Sequence, residues 1–225
     1  MSSGESRRPP VRTIAIDGPA GAGKSTLAAN LAAHLGLDRL DTGAMYRAVA
    51  WAALDRRIDI HDTQSVALLA TGLEIDLRDG VKIDGRDATS AIRTPAVDTA
   101  VSVVAANPSV RAELVRRQRE WVAEHGGGVV EGRDIGTVVL PGADFKVYLT
   151  ADPTERARRR ASQRRDQRSV EQVGADLERR DKMDSTRPDS PLPAPGQAAD
   201  ALVVDSTDRS ADSILEEVLE WLRAS

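Results

Sequence analysis

Ile14-Ala15-Ile16-Asp17-Gly18-Pro19-Ala20-Gly21-Ala22-Gly23-Lys24-Ser25 is the stretch that decides the fold of this 225-residue chain. The apolar run 14–16 reads as a buried parallel strand. The eight residues that close the stretch match G-x-x-x-x-G-K-[ST] at every fixed position. The spacing has a physical purpose. Glycines let successive backbone N–H groups curl round a β-phosphate, the following helix adds its N-terminal dipole, and Lys24 reaches the β/γ oxygens. In such loops the Ser25 hydroxyl ligates Mg²⁺. Leu27, Ala28, Leu31, Ala32 and Leu35 then recur at helical spacing up to the stop at Gly36, which predicts a helix over 24–35. Gly18, Pro19, Ala20, Gly21, Ala22, Gly23, Lys24, Ser25 and Thr26 are therefore expected to form an ATP or GTP site.

Working outward, Asp41-Thr42-Gly43 opens a second helix that reaches about Arg57, with Tyr46, Val49, Ala50 and Ala53 on one face. The period changes after Gly72. Leu73, Ile75 and Leu77 alternate with polar residues, and Asp79-Gly80 is a turn signal before Val81 and Ile83, so a small antiparallel insertion is expected. Thr94-Pro95 and Asn107-Pro108 each pair an N-cap residue with proline at the first helical position; the second of these helices reaches His125. Residues 129–131 and 145–149 read as further strands. Asp152-Pro153 opens an arginine-rich helix, and Ser169 or a neighbour opens the next. Four prolines between 188 and 196 demand a loop. A last strand over 201–204 and a last helix over 211–223 complete an α/β chain whose alternation implies a doubly wound, mostly parallel sheet. Residues 1–10 read as a flexible tail and 11–225 as one domain.

Composition narrows the function. The chain carries 31 Lys+Arg against 35 Asp+Glu, a net charge of −4. Only four of the cations are lysines, leaving 27 arginines, and seven of these lie within residues 156–168. A mildly acidic chain is a poor nucleic-acid coat, and three Trp, two Tyr and one Phe offer few stacking platforms for a single-strand-dependent ATPase. Arginine forks nevertheless suit a small polyanion. Cysteine is absent, which removes disulfides and thiolate chemistry and fits a reducing compartment. With no secretory apolar segment and no run approaching ~20 apolar residues, a soluble cytoplasmic protein is expected, without nucleic-acid or membrane partners and with nothing demanding more than a monomer. His34, His61 and His125 have no ligand spacing.

The loop leaves the task open. A regulatory GTPase would need a guanine-reading Asn-Lys-x-Asp, which is absent. A motor ATPase would show an apolar strand ending in acidic residues, whereas Val129-Val130-Glu131 runs into Gly132-Arg133-Asp134. An arginine at the carboxyl end of a parallel strand sits where ligands bind. Thr42 at a helix N-terminus, Arg47 one turn in, and Arg133 could together hold a monophosphate facing the γ-phosphate; the plainer alternative is a simple cap and a surface arginine. Arg180, Asp184 and Arg187 share one helix face by their i, i+4, i+7 spacing, as either an ion-pair ladder or a clamp.

These segments together resemble bacterial cytidylate kinases, members of the P-loop nucleoside monophosphate kinases, along nearly the whole length from Val11. The specific signatures are Asp41-Thr42-Gly43-Ala44-Met45-Tyr46-Arg47, Ile92-Arg93-Thr94, Arg116-Arg117-Gln118-Arg119, Gly132-Arg133-Asp134-Ile135-Gly136-Thr137 and Arg180-Asp181…Asp184…Arg187. The resemblance implies a P-loop kinase core with a monophosphate-binding insertion over about 62–106 and a helical lid over about 156–176. It implies transfer of the γ-phosphoryl group of ATP to CMP or dCMP with Mg²⁺. Thr42, Arg47 and Arg133 would hold the acceptor phosphate, with Tyr46 beside them. Ser102, Arg111, Asp134 and Arg187 would read the cytosine, and Arg180 with Asp184 would meet the ribose. Lys24, Arg47, Arg133 and Arg160 would carry the charge of the reaction. Arg156 and Arg160, at i, i+4, would close over ATP, one against adenine and one on phosphate. Arg158, Arg159, Arg164, Arg165 and Arg168 are left as a solvated lid surface.

Overall fold

The computed structural model describes residues 12–164, 168–187, 190–197 and 199–224, so the expected tail and part of the lid lie outside the described residues. The phosphate-loop strand β1 (Thr13–Asp17) is the centre of a five-stranded sheet. The order is β2 (Arg39–Asp41), β6 (Gly128–Glu131), β1, β7 (Phe145–Thr150), β8 (Ala201–Asp205). All four pairings are parallel.

Strand alternation sorts the core into two faces. Ile14, Ile16 and Val129 pack with α1 (Lys24–Leu35) and α8 (Ala211–Ala224) through Leu27, Leu31, Val218 and Leu222. Ala15 and Val130 face the other way, toward α2 (Thr42–Asp55), α3 (Thr63–Gly72), α4 (Pro95–Ala106) and α5 (Pro108–His125). A third, small cluster joins Ala20 of the phosphate loop to Ala157 of α6 (Pro153–Arg164) and to Val173 and Leu177 of α7 (Val170–Ser185). α6 and α7 are thereby packed on the phosphate loop.

The helix over 24–35 has the expected bounds, and Gly36 ends it with φ 65°. Elsewhere the structure corrects the sequence reading. α3 was not anticipated. Its buried residues Val66, Leu69 and Ala70 keep helical spacing, but Leu68, 76% exposed, blurs the apolar stripe. The small antiparallel insertion is present as expected and comprises three strands, β3 (Ile75–Asp76), β4 (Lys82–Ile83) and β5 (Arg86–Asp87), with Asp84-Gly85 making its second turn at positive φ. Its apolar residues Val81 and Ile83 merge with the core on the α2 side. Asn107 caps α5 as expected, accepting from Ser109 N and Val110 N. Thr94 stands at the N-cap of α4 with Pro95 following it as expected, but its side chain makes no cap bond; the hydroxyl donates to the Ala91 carbonyl of a preceding 3₁₀ turn at 3.1 Å. Ser169 forms a full capping box with Gln172. α7 ends at Ser185, so Arg187 lies beyond the helix instead of continuing its face. No helix among the described residues is long and apolar enough to cross a membrane.

Candidate active site

The turn after β1 needs glycine at its first position. Gly18 has φ 141°, and a Cβ there would meet the Leu149 carbonyl oxygen at 2.0 Å. Gly23 N-caps α1 in the left-handed region, so the helix begins at Lys24 with its N-terminus aimed into the loop. Lys24 Nζ donates to the carbonyls of Gly18 and Pro19 at 2.8 and 2.7 Å. Burial and then the charge of Arg133 push its pKa well below the ordinary lysine range, as expected of a cation stored for an anion.

Glu131, the last residue of β6, joins the first turns of α1 and α2. Its carboxylate accepts from Ser25 Oγ at 2.7 Å, and its main-chain carbonyl accepts from Thr42 Oγ1 at 2.7 Å. Arg39 Nη1 lies 3.5 Å from the other carboxylate oxygen. Burial, then the charge of Asp41, raises the Glu131 carboxyl to about 7 against the opposing pull of Ser25, Lys24 and Arg39. A hydroxyl and a carboxylate side by side form an all-oxygen donor set, the kind that hard Mg²⁺ uses when phosphates and water complete its shell. Sequence reasoning missed Glu131. Its signal, an apolar strand ending in an acid, was weighed only as a mark of motor ATPases.

A cleft of about 600 Å³ opens over the loop, lined by Gly21 to Leu27 together with Arg93, Arg159, Arg160 and Arg209. Arg160 lines it as expected. Arg156 is instead buried beneath the loop, donating to the Ala20 carbonyl at 3.1 Å and pairing with Asp181, which in turn accepts from Ala20 N. Arg159 corrects the assignment to solvated surface. It donates to Ser206 Oγ at 3.0 Å and the Ser206 carbonyl at 2.7 Å, and Ser206 Oγ donates to the Ala22 carbonyl. Arg158, 66% exposed at its side chain, does face solvent. Arg168 pairs with Asp176 at 2.7 Å. Arg165 lies outside the described residues.

Asp41 N-caps α2, accepting from Ala44 N at 3.0 Å, so Thr42 is the first helical residue and not the cap. Its hydroxyl is on Glu131, and its helix end faces a small cavity of about 40 Å³. That cavity gathers Thr42, Tyr46, Ser102, Arg111, Arg133, Asp134, Arg180, Asp184 and Arg187 from α2, α4, α5, the turn after β6, α7 and the segment just beyond α7. Its volume is that of about one water, because paired charges fill it. Arg111 and Asp134 pair at 2.5 Å, each 7% exposed at the side chain. Arg111 also lies over the Tyr46 ring, 5.8 Å from its centre. Asp184 is shared by Arg133, at 3.0 Å, and Arg187. Burial opposes the charge of Asp184, yet Arg133, Arg187 and Arg180 together hold its carboxyl below the ordinary range. Arg47 is the one acceptor-site residue named from sequence that does not line this cavity. Its guanidinium donates to the Ile92 carbonyl at 3.0 Å and to Asp98 at 2.5 Å.

Asp17 fixes the turn that carries these groups. Its two carboxylate oxygens accept from Ile135 N and Gly136 N at 2.7 and 2.8 Å. That clamps the π-helical turn Ile135–Val139 behind Arg133 and Asp134. Gly132 permits the close approach, since a Cβ there would meet Thr42 Oγ1 at 2.8 Å.

A phosphate loop after the central strand of a parallel sheet, tied through Glu131 to a second helix N-terminus beside Arg111, Arg133, Arg180 and Arg187, defines a P-loop kinase. Solved kinases share the fold: a gluconokinase from Sinorhizobium meliloti 1021 aligns with TM-score 0.50 and 15% identity over 96% of this chain and 94% of that one. A shikimate kinase from Acinetobacter baumannii aligns with TM-score 0.50 and 15% identity over 95% and 94%. The family model described as cytidylate kinase matches residues 14–224, and the chain belongs to that family. It is 47% identical to the cytidylate kinase of Desulforamulus reducens over 94% of this chain and 96% of that protein, and 46% identical to that of Solibacter usitatus over 94% and 92%. A bifunctional pantoate ligase/cytidylate kinase of Synechocystis is 46% identical over 92% of this chain, which spans 42% of that longer protein.

Proposed function

We propose that the chain transfers the γ-phosphoryl group of ATP to CMP or dCMP, giving ADP and CDP or dCDP. The observation that carries the reading is the buried Arg111–Asp134 pair in the small cavity, 2.5 Å apart, beside the Thr42 helix end and Arg133. Cytosine presents an N4 amino donor beside its N3 and O2 acceptors, and a carboxylate with an arginine is complementary to that edge. Uracil, with O4 in place of the amino group, offers Asp134 no donor and sets an acceptor against its carboxylate, at a cost of about 1–3 kcal/mol. Names borne by the relatives support the same acceptor.

A phosphate oxygen of the acceptor is already a nucleophile, so no strong general base is needed. Phosphoryl transfer then rests on in-line positioning and charge neutralisation. Lys24, once released from the Gly18 and Pro19 carbonyls, is the natural partner of the β/γ oxygens. Arg133 and Arg160 approach the transferred group from β6 and the lid side. Mg²⁺, held by Ser25 with Glu131 behind it, would neutralise charge on the donor's phosphates. The lid helices exclude water and so suppress hydrolysis of ATP. The cysteine-free sequence supports a reducing compartment, and the proposal is of a cytoplasmic monomer with no nucleic-acid or membrane partner.

The test is a coupled ADP-release assay with CMP, dCMP, UMP, dTMP, AMP or single-stranded DNA added in turn. CMP and dCMP are expected to give the largest stimulation. Stimulation by DNA but by no monophosphate sinks the kinase reading, and a clear preference for UMP or dTMP sinks the cytosine assignment.

A further inference from the structure

Four side chains from four helices meet at one carboxylate. Asp98 Oδ1, on α4, lies 2.5 Å from Arg47 Nη2 of α2, 3.3 Å from Arg160 Nη2 of α6 and 3.8 Å from Arg180 Nη1 of α7. These are three of the arginines to which the proposed reaction assigns phosphate or ribose. None is well solvated: their side chains are 10%, 21% and 17% exposed. Asp184, whose charge also acts on Arg180, is already bonded to Arg133 and Arg187, Asp41 acts on Arg47 only through its charge, and Arg180 Nε is buried without a hydrogen-bond partner. Burial first, and then mutual repulsion with Arg47 and Arg133, lowers Arg160 to about 10 and lowers Arg180 as well.

One carboxylate shared by three guanidinium groups leaves the cluster short of negative charge and of acceptor oxygens. Storing like charges this close without a counter-ion is costly. A phosphate monoester supplies about 1.5–2 negative charges and three strong acceptor oxygens. It is thus a better partner for three forks than a single carboxylate.

We propose that Asp98 is a resident anion of the acceptor site: its carboxylate holds Arg47, Arg160 and Arg180 in the unliganded chain, and the acceptor's phosphate takes them over. The inference rests on the reading that the acceptor is a nucleoside monophosphate. Two consequences follow from the exchange. Asp98 competes with the acceptor, so it sets acceptor affinity, because a site only fractionally free binds proportionally more weakly. It also ties Arg160 of α6 to α4 until the acceptor's phosphate takes it over, which links occupancy of the acceptor site to the position of α6. Asp98 is in this sense a positioning residue.

The experiment is calorimetric titration of the full chain, without ATP, with CMP and separately with inorganic phosphate, for wild type, Asp98→Asn and Asp98→Ala. Thermal unfolding checks that the variants are folded. Both ligands are expected to bind about tenfold more tightly once the competing carboxylate is neutral, the scale of one charged hydrogen bond. In steady state the change should appear in KM for CMP and not in KM for ATP. Unchanged or weaker binding of both ligands by the folded variants overturns the proposal and leaves Asp98 a structural ion-pair partner. The phosphate arm needs no base. Tighter phosphate binding by the variants therefore sustains the role of Asp98 even if wild type fails to turn over CMP, an outcome that would overturn only the cytidylate reading.

Discussion

Ser25 Oγ donates to Glu131 Oε2 at 2.7 Å, joining the first turn of α1 to the end of β6. The same glutamate accepts from Thr42 through its main chain, so the donor loop and the acceptor helix are tied to one residue. If Glu131 backs a metal held by Ser25, Glu131→Gln should raise the Mg²⁺ concentration for half-maximal rate by about 10–100-fold, the usual cost of losing a supporting ligand partner. Rate against Mg²⁺ at fixed ATP measures this. An unshifted curve would assign Glu131 to tethering alone.

Asp17 gives a pH signature. Burial raises its carboxyl from 3.8 to about 6, against two opposing backbone hydrogen bonds. The folded chain therefore keeps this proton to higher pH than the unfolded chain. Stability from this group is full below about pH 4 and is lost as pH rises through about 6, with a slope of at most about 1.4 kcal/mol per pH unit. Asp17→Asn should flatten that part of the stability curve while weakening the clamp on Ile135 and Gly136. Denaturant midpoints across the acid range test it, and an unaltered slope in the variant would assign the decline to other groups.

Arg133→Ala should cut turnover about 100–1000-fold, the scale of one lost transition-state donor, while ATP binding stays near wild type. Arg187 still pairs with Asp184 in that variant, which limits collapse of the cavity. Turnover near wild type would remove Arg133 from the reaction.

Asp134→Ala leaves Arg111 buried without its partner, and breaking such a pair typically costs about 3–5 kcal/mol of stability. The rate preference for CMP over UMP should shrink together with stability. Preserved preference in a folded variant would mean that the base is read by other groups.

Much of this site was legible in the chain. A phosphate loop is a local object: consecutive residues supply the turn, the N–H groups and the lysine, so Gly18 to Ser25 announces itself. The Asp41–Arg47 and Gly132–Thr137 segments are likewise short stretches whose residues act near one another. Arg159 and Arg156 show where such reading stops. They lie three apart on one helix, yet one reaches Ser206 beside the cleft and the other the Ala20 carbonyl beneath the loop. Helical spacing gives the direction of a side chain and not what waits there.

The sequence by itself determined the parallel α/β order, the phosphate loop, and the set of arginines and carboxylates that line the small cavity. Tertiary structure alone decided their pairing. Glu131 became the joint between the first turns of α1 and α2 because β6 lies between β1 and β2, with Ile16 and Asp41 opposite Glu131. Arg47 pairs with Asp98 and does not line the cavity, because α2, α4, α6 and α7 converge on that carboxylate. The physical reason is that charge is satisfied through space: a buried guanidinium takes whichever carboxylate the packing brings within reach, and chain separation does not enter Coulomb's law.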